Sequence, residues 1–150
     1  MTTLKARLED DLRVAMKGRD ELVTSTLRMA LTAVRTAEVA GAAARTLSDD
    51  EVLAVLTREA KKRREAATAF GDAGRDAQAA KERAEEEVLA AYLPAQLSDE
   101  DLAAIVADAL AGGGFVGMKS MGAAMKAVQA EVAGRAEGGR VATEVRRQLA

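Results

Sequence analysis

The 150-residue sequence predicts an all-α protein: an amino-terminal helical domain, residues 1–93, followed by a compact three-helix carboxy-terminal domain, residues 94–150. Three observations predict it. Ala, Leu, Glu, Arg and Lys fill long tracts with few turn residues, which favours helix. No stretch alternates apolar and polar residues for long enough to read as a strand. The single proline, Pro94, lacks an amide hydrogen and disfavours helical geometry at Leu93, so one helix should end there.

The elements follow in order. Leu4, Leu8, Leu12 and Ala15 or Met16 make one stripe of a helix over residues 3–17, which Gly18 ends. Asp20 caps a second helix reaching about Val39, with Val23, Leu27, Ala30, Val34 and Ala37 inward. After a loop from Gly41 to Thr46, Ser48-Asp49-Asp50-Glu51 is a capping box with Leu47 and Val52 as its staple. The third helix runs from Asp49 to about Phe70. Val52, Leu56, Ala60, Arg63, Ala67 and Phe70 share one face at helical spacing. Arg63 therefore lies inside an apolar stripe and must snorkel or find a carboxylate, since an unpaired buried guanidinium is costly. Arg58, Lys61 and Lys62 point away from that stripe.

Gly71 to Gly74 break the helix, and a fourth runs from Asp76 to Tyr92 with Ala77, Ala80, Ala84, Val88 and Ala91 on one side. Lys81–Glu85 and Arg83–Glu87 stand at i,i+4 spacing, worth ~0.3 kcal/mol each. Beyond Pro94, Ser98 and Asp101 form a short-acid version of a capping box, flanked by Leu97 and Leu102. The helix Asp99–Ala111 buries Leu102, Ile105, Val106 and Leu110 and ends at Gly112-Gly113-Gly114. Ser120 caps a helix to Val132 with Met121, Met125, Val128 and Val132 inside, and Met118 falls at the same core spacing. Gly122 on that helix suits close approach by another helix. A turn over Gly134 to Gly139 leads to a last helix with Val141, Val145 and Leu149 at four-residue spacing.

Composition narrows the function. There is no cysteine and no histidine, so thiol nucleophiles, disulfides, the commonest general base and the commonest metal ligand are all missing. No serine has a recognisable base beside it in sequence, and no catalytic residue and no cofactor are expected. The start, Met-Thr-Thr-Leu-Lys, lacks the apolar core of a signal peptide, and no segment is apolar enough to span a membrane. A cytoplasmic location is the expectation. The formal net charge of −2 gives no overall cationic field, and no DNA partner is expected. The acidic runs Glu85–Glu87 and Asp99–Asp101 read as a solvated face and a helix cap rather than as a cation site.

Charge is nevertheless unevenly placed. Arg58, Lys61, Lys62, Arg63 and Arg64 face Glu59 alone within residues 58–64. Lys119, Lys126, Arg135, Arg140, Arg146 and Arg147 crowd the last part of the chain. An RNA-facing surface made of Arg58, Lys61, Lys62, Lys119, Lys126, Arg135, Arg140, Arg146 and Arg147 is one reading, in which each phosphate contact releases counterions. Solvated helix faces, and glycines that only serve a turn, are the other. Aromatics are 2% of the chain, so no stacking platform exists and any RNA contact should read backbone and shape.

The strings Arg58-Glu59-Ala60-Lys61-Lys62-Arg63-Arg64-Glu65-Ala66-Ala67, Phe70 to Arg75, Tyr92-Leu93-Pro94-Ala95-Gln96-Leu97-Ser98, Met121-Gly122-Ala123-Ala124-Met125 and Gly134-Arg135-Ala136-Glu137-Gly138 come in an order and spacing that resemble the GatB/YqeY family, specifically its stand-alone YqeY-like proteins. The resemblance spans nearly the whole chain. It implies an amino-terminal helical domain and a three-helix tail like that of the B subunit of the glutamine-dependent tRNA amidotransferase, which grips the body of the tRNA while the chemistry happens elsewhere. Ser120 and Glu137 stand where the family usually has Asp, Ala130 where it has Pro, and Arg135 where it has Lys. Glu is the poorer helix cap, so the last helix should start more loosely.

The leading expectation is a non-catalytic tRNA-associated accessory module, assisting the amidotransferase or another tRNA-handling protein. Four to six phosphate contacts would give a log–log salt slope near about −4. A carbon–nitrogen ligase using glutamine as amido-N donor, the label the family carries, is the enzymatic alternative. A protein-binding adaptor is the third.

Overall fold

The computed structural model describes residues 2–150 and is all-α. Seven α-helices are present among the described residues: α1 (Leu4–Lys17), α2 (Glu21–Glu38), α3 (Asp49–Asp72), α4 (Asp76–Ala90), α5 (Asp99–Gly113), α6 (Met121–Val132) and α7 (Gly138–Leu149). A 3-10 turn, Met118–Ser120, precedes α6, and no strand occurs among these residues. Contacts divide the chain into two compact units, Met1–Leu93 and Pro94–Ala150.

In the first unit, local caps set the helix starts. Thr3 accepts from the amide of Ala6, and Asp20 from that of Val23. Ser48 and Glu51 form the reciprocal capping box, with Leu47 and Val52 both buried beside it. Leu8, Leu27, Leu31, Val34, Val52, Leu56 and Leu89 are buried together in one core. α3 and α4 pack most extensively, as a helical hairpin turned at Gly74, whose φ of +77° suits glycine.

The inward face of α4 differs from the alanine stripe that periodicity suggests. Ala79, Glu85 and Leu89 are buried, whereas Ala77, Ala80 and Ala91 are exposed. Alanine is too small to decide which way a helix turns, and Leu89 together with Glu85 decides it here. Glu85 is thus not part of a solvated face. It faces Arg63 rather than Lys81, and neither Lys81 nor Arg83 makes an ion pair among the described residues.

In the second unit, Leu102, Val106 and Leu110 of α5, Ala124, Val128 and Val132 of α6, and Val141, Val145 and Leu149 of α7 form the core. Ser98 caps α5 through the Asp101 amide at 3.1 Å, but the return bond of a full box is missing, because the Asp side chain is one methylene shorter than Glu. Ser120 does not cap α6. Its hydroxyl donates to the Val116 carbonyl at 3.0 Å, as the chain enters the helix through the 3-10 turn. That turn also turns Met118 outward, leaving it 48% exposed, while Met121 and Met125 pack on the core. Gly122 is exposed, and a Cβ there would meet nothing within 4 Å, so no helix approaches it. No single helix is long and apolar enough to cross a membrane.

Candidate nucleic-acid interface

The six cations of the second unit divide into two kinds. Three are already engaged, Arg135 and Arg140 by backbone carbonyls and Arg147 by a neighbouring carboxylate on its own helix. Arg135 donates from Nε to the Val132 carbonyl at 3.0 Å and from Nη2 to the Glu131 carbonyl at 2.8 Å. Those are terminal carbonyls of α6 with no helical partner, so Arg135 acts as its C-terminal cap. Arg140 donates from Nη2 to the Leu97 carbonyl at 2.9 Å and to Asp99 at 2.8 Å. The Leu97 amide in turn donates to the Arg135 carbonyl at 2.7 Å. Leu97, at the entrance to α5, is therefore held from both sides, by the segment that leads into α7 and by the first turn of α7. Arg147 chelates the Glu144 carboxylate through Nε and Nη2. Hydrogen bonds from Arg147 and then Gln148 draw the Glu144 carboxyl down from 4.5 to about 2.

The other three have no partner. Lys119, Lys126 and Arg146 are exposed and make no hydrogen bond or ion pair among the described residues. The turn carrying Lys119 packs against both α6, which carries Lys126, and α7, which carries Arg146. On α6, Lys126 lies opposite the stripe of Ala124, Val128 and Val132, so its ammonium projects straight to solvent.

In the first unit the basic run on α3 is also largely occupied. Lys62 pairs with Glu59 at 3.3 Å, Lys61 with Glu65 at 3.9 Å, and Arg64 with Glu86 of α4 at 2.9 Å. Arg63 is buried between Glu59 at 2.8 Å and Glu85 at 3.5 Å. Arg58 alone in that run is exposed with no partner. The nine candidate residues thus reduce to four free cations, Arg58, Lys119, Lys126 and Arg146.

Sequence periodicity missed one cluster. The Tyr92 hydroxyl donates to Asp11 at 2.5 Å, and the Arg7 guanidinium lies 4.7 Å from the Tyr92 ring centre. Burial, then the Asp11 hydrogen bond, pushes the Tyr92 hydroxyl above its ordinary pKa. This ties α1 to the end of the first unit, two residues before Pro94. The one signal for it was that a lone tyrosine must place its hydroxyl as well as its ring.

Glu137 gives the start of α7 no side-chain cap. A polar groove of about 510 Å³ opens there, lined by Asp99, Glu137, Arg140 and Glu144 among others. Its carboxylates outnumber its one cation, which suits an anion poorly. No group of three or more acidic side chains is placed to share a metal ion among the described residues.

The family model described as Yqey-like protein matches residues 5–149. No curated protein matches the chain.

Proposed function

Because this chain belongs to the Yqey-like protein family, we propose that it is a non-catalytic accessory module that binds tRNA through its carboxy-terminal unit and acts in the cytoplasm alongside a tRNA-handling enzyme. One observation carries the reading. The carboxy-terminal unit leaves Lys119, Lys126 and Arg146 without a partner among the described residues, on three mutually packed elements. Free cations on a rigid support are what a phosphate backbone requires, and they release counterions on contact. Arg135 and Arg140 serve by shaping the support, and Arg147 is neutralised by Glu144. The two compact units are, on this reading, separate domains, with the family's tail resemblance attaching to the second.

Filter binding of purified tRNA across a salt series tests this. Three phosphate contacts predict a log–log slope of about −3. No affinity at low salt, or affinity indifferent to salt, defeats it. Turnover by the purified chain in a glutaminase or transamidation assay would instead favour the ligase alternative.

A further inference from the structure

We infer that the groove between α5 and α6 docks a basic amphipathic helix of a partner protein, independently of any RNA contact. The groove has a volume of about 420 Å³. Its apolar lining comes from Ile105 and Ala109 of α5, Ala127 of α6, and Phe115. The α5 contributors Ile105, Asp108, Ala109 and Gly112 repeat at i, i+3, i+4 and i+7, so one continuous helix face forms a wall. Gly113 makes room for Phe115: a Cβ there would lie 2.3 Å from a ring carbon. Small side chains at Ala109 and Ala127 let a second backbone come close, as helix-in-groove recognition needs. Ile105, Ala109 and Phe115 are only partly buried where they pack on the unit's core, so each keeps apolar surface open to the groove.

Charge names the occupant. Asp108 on α5 and Glu131 on α6 both line the groove, both are exposed, and neither carboxylate makes a hydrogen bond or ion pair among the described residues. An apolar strip with a free carboxylate on each helix complements a helix with aliphatic anchors flanked by Lys or Arg. The same two carboxylates repel phosphate, which separates this face from the one proposed for RNA.

The test is a titration of the isotope-labelled full-length chain, followed by amide NMR shifts. The probe is a synthetic helix with Leu at i, i+3, i+4 and i+7 and Lys on its flanks. A scrambled peptide of the same composition, and one with Glu replacing Lys, are the controls. The expected result is shifts centred on Ile105, Ala109, Gly112, Phe115 and Ala127 with the amphipathic Lys peptide alone. Asp108→Lys with Glu131→Lys should weaken it by about tenfold or more, and Asp108→Asn with Glu131→Gln should weaken it less. Absence of shifts, equal shifts with the scrambled peptide, or indifference to both double variants overturns the proposal. So does tRNA shifting the same amides, or a concentration-dependent dimer that the charge reversal dissolves, which would assign the groove to nucleic acid or to a second copy.

Discussion

Arg63 of α3 and Glu85 of α4 face each other at 3.5 Å, with side chains only 8% and 6% exposed. Arg63 Nη1 also donates to the Glu59 carboxylate at 2.8 Å and to the Glu59 carbonyl at 3.0 Å, and Nη2 approaches the Met29 sulfur at 3.6 Å. Arg63 Nε is sealed from water without a hydrogen bond of good geometry, so Glu85 compensates it by charge alone. The pair sets the register of the hairpin in a place where alanines offer little else to choose between faces.

Removing one partner of such a pair strands the other. Glu85→Ala should destabilise the chain by about 3 kcal/mol, at the lower end of the range for buried pairs because Glu59 remains. Arg63→Met with Glu85→Leu should recover most of that loss. Urea unfolding of the two variants checks it, and a double variant as weak as the single one contradicts it.

The division of the basic residues into free and committed ones can be read directly. Lys119→Ala, Lys126→Ala and Arg146→Ala together should abolish most tRNA affinity and flatten its salt dependence without lowering Tm. Arg140→Ala should lower stability by about 1 kcal/mol, because the Leu97 carbonyl loses its donor, while the salt slope of binding persists. Equal effects of the two variants on both readouts would erase the distinction.

Glu51 and Glu144 are each held down from 4.5 to about 2, by Arg45 and by Arg147 as the leading cause. A depressed folded-state pKa contributes stability that is complete above about pH 4.5 and is lost as pH falls toward 2. Tm should therefore fall across that window. Glu51→Gln with Glu144→Gln should make the fall shallower and leave it otherwise unchanged, with a modest effect because both pairs are largely solvated. Calorimetry over that range measures it.

Two glycines should respond oppositely to alanine. Gly113→Ala drives a Cβ into the Phe115 ring and should cost about 1–3 kcal/mol. Gly122→Ala meets nothing within 4 Å in a helix and should stabilise by about 0.5 kcal/mol. Thermal melts of the pair decide the signs.

If the two units are domains, residues 94–150 expressed alone should give a helical circular-dichroism spectrum and a cooperative melt, since domains of this size can fold independently. A disordered spectrum would show that the unit depends on the first.

The sequence by itself determined the helices, their caps at Ser48 and Asp20, the core stripes of α1, α2, α3, α5 and α7, and the abnormal position of Arg63. These follow from periodicity and from local hydrogen bonding, which act within a few residues along the chain. Family membership was legible in the same way, from words in order. The tertiary structure alone decided the face of α4, the burial of Glu85, the exposure of Met118, and which cations remain free. Lys126 and Arg140 are both cations in a string of letters. Only folding brings Leu97 and Asp99 to Arg140 and brings nothing to Lys126, because a partner some 43 residues away in sequence is a matter of packing.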